Sequence, residues 1–201
     1  METEHVTDTT TGAPGSNKNL ATLIQRSRES RYIPLYDSFT VANAAVGLVG
    51  QFFNNVAGKN LVQSNMPANG VLPSPRQFLV EQVCVVMPVD CNTADAQALI
   101  GQSVIQWFIS DKQYLQAPLF AVPGGVGLSG FAATGVAATT FDVATNGFPS
   151  PAARFNLHRP GQLIRTQENF RVDMTIPTAI TLTATRRVWC VLWGTELRAV
   201  Q

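Results

Sequence analysis

The sequence predicts an all-β protein, an antiparallel β-sandwich carried behind a flexible N-terminal arm, and three observations predict it. Short runs rich in Val, Ile, Phe and Thr recur along the chain between turn residues, the rhythm of a sandwich or barrel rather than of alternating strands and helices. Phe170, Val172, Met174 and Ile176 alternate with Arg171, Asp173 and Thr175, the period-2 pattern of a strand buried on one face. Residues 1–19 are rich in Thr, Gly, Ser and Asn and hold almost nothing to bury, so they do not offset the entropy of ordering.

The elements follow in order. Residues 1–31 read as the arm and 32–201 as the sandwich. Within the arm, Leu20–Arg31 has the makings of a short helix, with Leu20, Leu23 and Ile24 on one side. Strand-like segments run over Tyr32–Val46, Gly47–Phe53, Gln77–Val89, Ser103–Ser110 and Tyr114–Val122. They are separated by Pro67–Gly70, Pro73–Pro75, Ser110–Lys112 and Pro123–Gly125. Two stretches admit a helix instead: Val41–Val56, against which Gly47 and Gly50 argue, and Thr93–Gln102, with Asn92 or Thr93 as N-cap. The alternating strand ends at a break expected at Pro177. Arg187–Trp193 is apolar on both faces, as in a strand buried between two layers, and Gly194-Thr195 reads as the turn that ends it.

At 201 residues and 21.7 kDa the chain is long enough for one domain with a real core. Only 13% of residues are charged, about half the usual share, so much of the surface is expected to lie against other subunits. Arginine supplies eleven of the fourteen basic residues, and it is the cation that tolerates interfaces. Lys18, Arg26, Arg28 and Arg31 make the arm basic, and Arg186 and Arg187 flank the last strand. These six are the candidate contacts to nucleic acid or to a neighbouring subunit. Charges at strand ends also guard sheet edges against mispairing, which serves equally well for the last two. Residues 113–141 carry no charge and many Gly and Pro. They suit a loop packed on another protein surface, whereas a membrane contact finds no basic residue or amphipathic helix there to support it.

Little in the sequence carries chemistry. Cys84, Cys91 and Cys190 lack CxxC spacing and read as buried free thiols of a reducing compartment. His5 and His158 are the only histidines, and with the cysteines they match no zinc-site spacing. No cofactor, metal site or catalytic residue is therefore assigned. Asp90, Asp95, Asp111 and Asp142 fall at strand ends or loops, and the first three would make a hydrolase only by converging with His158 in a cleft. Gly124-Gly125-Val126-Gly127 lacks the Lys-Ser/Thr and helix of a phosphate loop. Trp107, Trp189 and Trp193, with Phe78, Phe108, Phe120, Phe155 and Phe170, are expected to fill the core.

The stretch PGQLIRTQENFRVDMTIP over residues 160–177, with RRVWCVLWGTELRAVQ over 186–201, resembles C-terminal strands of bacteriophage virion proteins. With the polar arm, low charge and uncharged loops, the chain is similar to small phage capsid proteins of the single jelly-roll type. That resemblance implies an eight-stranded sandwich, self-assembly with copies of itself and other virion proteins into a symmetric shell, no catalysis, and a place in the virion after assembly in the host cytoplasm. The competing expectation is a β-sandwich binding module for carbohydrate or host attachment, on a spike or tail. Trp189 and Trp193 would then point outward, and in a shell subunit they would be buried.

Overall fold

The computed structural model describes residues 29–87, 91–122, 129–132, 142–145 and 154–198. In chain order the strands are β1 (Glu29–Val41), β2 (Ala44–Phe52), β3 (Arg76–Val86), β4 (Val104–Ile109), β5 (Lys112–Pro118), β6 (Ser129–Ala132), β7 (Asp142–Thr145), β8 (Phe155–Asn156), β9 (Gln162–Ile164), β10 (Phe170–Thr181) and β11 (Arg186–Arg198). A single helix among the described residues, α1 (Thr93–Gln102), joins β3 to β4, and a 3-10 turn over Leu119–Ala121 follows β5. The all-β antiparallel sandwich is thus present.

One sheet has the order β1-β11-β3-β8, with β9 also on β3, and the other β2-β10-β4-β5; β6 and β7 pair with each other. The pairings nest. The first strand lies on the last, β2 on β10, β3 on β8 and β9, and β4 on β5, all antiparallel. Consecutive strands β1 and β2, and again β3 and β4, belong to opposite sheets, so the chain crosses the sandwich repeatedly and the sheets close over one core.

Alternation places the core side chains. Phe170, Val172, Met174 and Ile176 are all buried, as their spacing demands. They meet Trp107, Ile105 and Phe52 of their own sheet and Leu35, Val83, Val188 and Leu192 of the facing one, in one continuous cluster. Each such side chain contributes about 1.5–3 kcal/mol of transfer free energy. In α1, Ala96 and Leu99 are buried at i, i+3 spacing, and Asn92 caps the helix by accepting the Asp95 N–H at 2.7 Å.

Several sequence expectations are corrected. The Val41–Val56 helix is absent: β1 ends at Val41 and β2 begins at Ala44. Glu29–Arg31 extend β1 instead of closing an arm helix, because they pair with Leu197, Glu196 and Arg198 of β11; the rest of the expected arm lies outside the described residues. Pro177 does not end its strand. β10 runs on to Thr181 across a register shift between Ile176 and Ile180, where proline needs no ladder hydrogen bond. Gly194-Thr195 is no turn either. Gly194 sits inside β11 against β3, where a β-carbon would lie 1.9 Å from the Leu79 carbonyl oxygen. Close backbone approach, not a turn, is what requires glycine there. Finally, β11 is not apolar on both faces in effect: Val188, Cys190 and Leu192 are buried, while Trp189, Val191 and Trp193 turn outward and are half-buried.

Candidate functional site

Of the six basic residues singled out by sequence, the three described ones do not converge. Lys18, Arg26 and Arg28 lie outside the described residues. Arg31, on β1, bonds through Nε to Glu196 Oε2 at 2.5 Å. Arg76 on β3 bonds the other carboxylate oxygen, and Arg198 approaches Oε2 at 3.3 Å. Glu196 is buried, which by itself would raise its pKa; the bonds and charges of Arg31 and Arg76 outweigh that and hold it below the usual 4.5. Arg186 and Arg187 begin the same strand about 30 Å away. Arg186 is buried, and its Nε donates to Asp95 Oδ2 at 2.7 Å, so it is a packing cation. Arg187 donates to Ser38 Oγ at 3.3 Å. Arg76 was missed because a lone arginine after Pro75 carries no pattern; only the register of β3 on β11 brings it to Glu196.

The outward indoles are already engaged. The Arg154 guanidinium lies 4.0 Å from the centroid of Trp193, and Tyr32 stacks on the same indole with centroids 6.1 Å apart. Trp189 Nε1 donates to the Val62 carbonyl at 3.0 Å. Neither tryptophan belongs to the core, and Phe120 is 66% exposed, against expectation. The bulk comes instead from Trp107, Phe52, Phe53, Phe78 and Phe170, of which Phe52 and Phe53 follow a glycine-interrupted run that concealed their inward register. Beside Trp193, where β8 gives way to β9 along β3, a cleft of about 450 Å³ is lined by Glu81, Gln82, Asn156 and Arg159. Several of its polar groups are engaged: Gln82 Nε2 donates to Asn156 Oδ1 at 2.7 Å, and Glu81 Oε1 accepts from Thr195 Oγ1 on β11 at 3.1 Å.

Groups capable of acid–base or nucleophilic chemistry stand apart. Cys84, Cys91 and Cys190 are free and buried. Burial pushes the Cys84 thiol up to about 11, despite Arg154 and Trp193 nearby, so at neutral pH it is neither a thiolate nucleophile nor a ready metal ligand. Burial raises Cys190 as well, with Cys84 and Asp37 adding to it. Asp95 is consumed by Thr183 and Arg186, Asp111 sits in the β4–β5 turn and His158 in the β8–β9 connection; Asp90 lies outside the described residues. No group of three His, Cys, Asp or Glu able to hold a metal occurs among the described residues, and no helix among them is long and apolar enough to cross a membrane.

What the surface does offer is apolar. The segment after β2 wraps the free edge of β1: Asn65 N–H donates to the Tyr36 carbonyl, Asn65 Oδ1 accepts from Tyr36 N–H, and Asn65 Nδ2 donates to the Pro34 carbonyl. Lys59 anchors it on buried Asp37, with Nζ 2.8 and 2.9 Å from the two carboxylate oxygens. The segment ends in a turn whose tip carries Leu61 and Val62, 79% and 74% exposed. On the opposite sheet, edge strand β2 presents Val46 and Leu48, 60% and 58% exposed. Residues 113–122 of the expected contact loop form β5 and the 3-10 turn with Phe120; 129–132 lie in β6, and the remainder falls outside the described residues. No protein-family model, curated protein or solved structure matches this chain.

Proposed function

We propose that this chain is a structural subunit of a virus particle, of bacteriophage type, which associates with its own copies and with other virion proteins into a symmetric shell. The observation that carries the reading is the nested strand pairing, β1 on β11, β2 on β10, β3 on β8 and β9, β4 on β5. Folding a long antiparallel hairpin around itself gives that order, and such nesting supports a jelly-roll reading. Jelly rolls serve viral shells, lectins and cupin enzymes, so the site must choose among them. A cupin centre needs clustered histidines, and His158 is the one histidine among the described residues. The shell reading draws support from low charge and from large apolar side chains left exposed on both sheets.

A second reading, a module binding carbohydrate or a host surface, is favoured by the outward direction of Trp189 and Trp193. It is weakened by Arg154 lying over the face on which a sugar ring would stack.

The test is light scattering with electron microscopy of the full chain at rising concentration. Shells or ordered sheets are the expected result. A monodisperse monomer at every concentration, with glycans protecting Trp193 fluorescence from quenching, would replace the first reading with the second.

A further inference from the structure

We infer that self-association of this chain is head to tail: the Leu61–Val62 turn of one copy docks on edge strand β2 of the next, around Val46 and Leu48. The inference rests on the shell reading above and specifies the contact.

The turn is built before any partner arrives. Asn60 Oδ1 accepts the N–H groups of Val62 and Gln63 at 3.0 and 3.1 Å. The Asn60 carbonyl accepts those of Gln63 and Ser64 at 2.9 and 3.0 Å. Behind the tip, Trp189 Nε1 holds the Val62 carbonyl and the Tyr36 hydroxyl holds that of Leu61. Two large apolar side chains are therefore fixed in water on a rigid support, and docking them loses little conformational freedom.

The receiving strand matches in chemistry. Leu48 pairs with Thr175, on the outer face of its sheet, while Ala45 and Gly47 flank Val46 and pair with core-side Ile180 and Ile176. Both apolar side chains therefore point out of the sandwich. Gly47 lies between them on the core-side register, so Val46 and Leu48 are neighbours along the outer face of the strand. Ala44–Phe52 and Asn60–Met66 contain no ionisable residue, so joining them strips no charge of water. The other edges of the two large sheets carry guards that β2 lacks: Arg31 and Pro34 on β1, Lys112 and Pro118 on β5, and two- and three-residue strands at β8 and β9.

Direction follows from placement. The turn is held on the outer side of one sheet by Trp189, and Val46 and Leu48 lie on the outer side of the other. A chain cannot satisfy its own pair, and two convex tips facing each other would bury little. A protruding tip on an edge strand makes a heterologous contact, the kind that propagates and closes into rings where its rotation allows.

Complementation between variants tests this. Leu61→Asp/Val62→Asp removes the knob and keeps the strand; Val46→Asp/Leu48→Asp does the reverse. All four positions are exposed, so both variants are expected to fold, as near-ultraviolet circular dichroism checks. By sedimentation velocity the wild type is expected to associate, each variant alone to stay monomeric, and an equimolar mixture to give dimers and nothing larger. Variants that assemble like wild type, or a mixture that stays monomeric beside an associating wild type, would overturn the contact and leave the shell reading standing. A wild type that never associates overturns both. Cosedimentation of the monomer with phosphatidylcholine vesicles, lost in Leu61→Asp/Val62→Asp, would assign the knob to lipid and overturn it too.

Discussion

Asp95 shows how single polar residues hold this sandwich closed. Its carboxylate accepts the Thr183 N–H and hydroxyl at 2.8 and 2.7 Å and Arg186 Nε at 2.7 Å, tying α1 to the β10–β11 connection. Burial alone would raise its pKa, but the Thr183 and Arg186 bonds outweigh that and hold it below the ordinary 3.8. Asp95→Ala leaves Arg186 buried without this counter-charge, which costs about 3–5 kcal/mol. Urea unfolding is expected to show that loss, and Asp95→Ala/Arg186→Met to recover much of it. Acid acts on the same group. Asp95 and Glu196 both ionise more readily folded than unfolded, so their contribution is full above the unfolded values and lost as pH falls through the lower folded ones. The melting temperature of the wild type should fall more steeply below about pH 4 than that of Asp95→Ala.

At the scale of elements, Gly194 decides whether β11 can lie against β3. A β-carbon there would sit 1.9 Å from the Leu79 carbonyl oxygen and 2.9 Å from its carbon, and backbone on a central strand cannot yield cheaply. Gly194→Ala is therefore expected to destabilise by more than about 2 kcal/mol, measured by chemical denaturation, whereas Gly101→Ala, at a helical glycine with open space around it, is expected to be neutral or stabilising. The same glycine marks how far the sequence could be read. Alternation from Phe170 to Ile176 announced its strand outright, and Asn92 announced its helix, because both signals are local. Gly194 looked like a turn because glycine serves turns and close approaches alike, and the difference lies in a strand more than a hundred residues earlier. Trp189 and Trp193 looked like core because hydrophobicity does not state which face a side chain takes; their parity with buried Cys190 fixes it. The arginines round Glu196 come from three strands, and no spacing within any one of them foretells the meeting.

For the whole molecule, the scarcity of charge decides what kind of association is available. The exposed apolar pairs and the uncharged segments that carry them leave Coulomb attraction little to act on. Association should then persist or strengthen between about 50 and 500 mM sodium chloride, beyond the reach of screening, and weaken on cooling from 25 to 4 °C as apolar burial does. Sedimentation velocity at the four combinations checks both signs. A steep loss with salt would transfer the contact to the arginine clusters.

The pairing of β1 with β11 also sets a clock on the molecule's birth. Glu29 is made well before Arg198, its register partner, and waits while everything between them is synthesised. Because β11 is the strand between β1 and β3, β1 lacks its ladder partner, and β3 has only the short β8 and β9, until β11 has been made. Until then the apolar faces of four or five strands stand open in a crowded cell, where wrong neighbours are plentiful. A chain of this topology depends on closing the sheet fast once β11 is made or on a chaperone that shields it meanwhile, and removing β11 takes out the middle of a sheet rather than its margin.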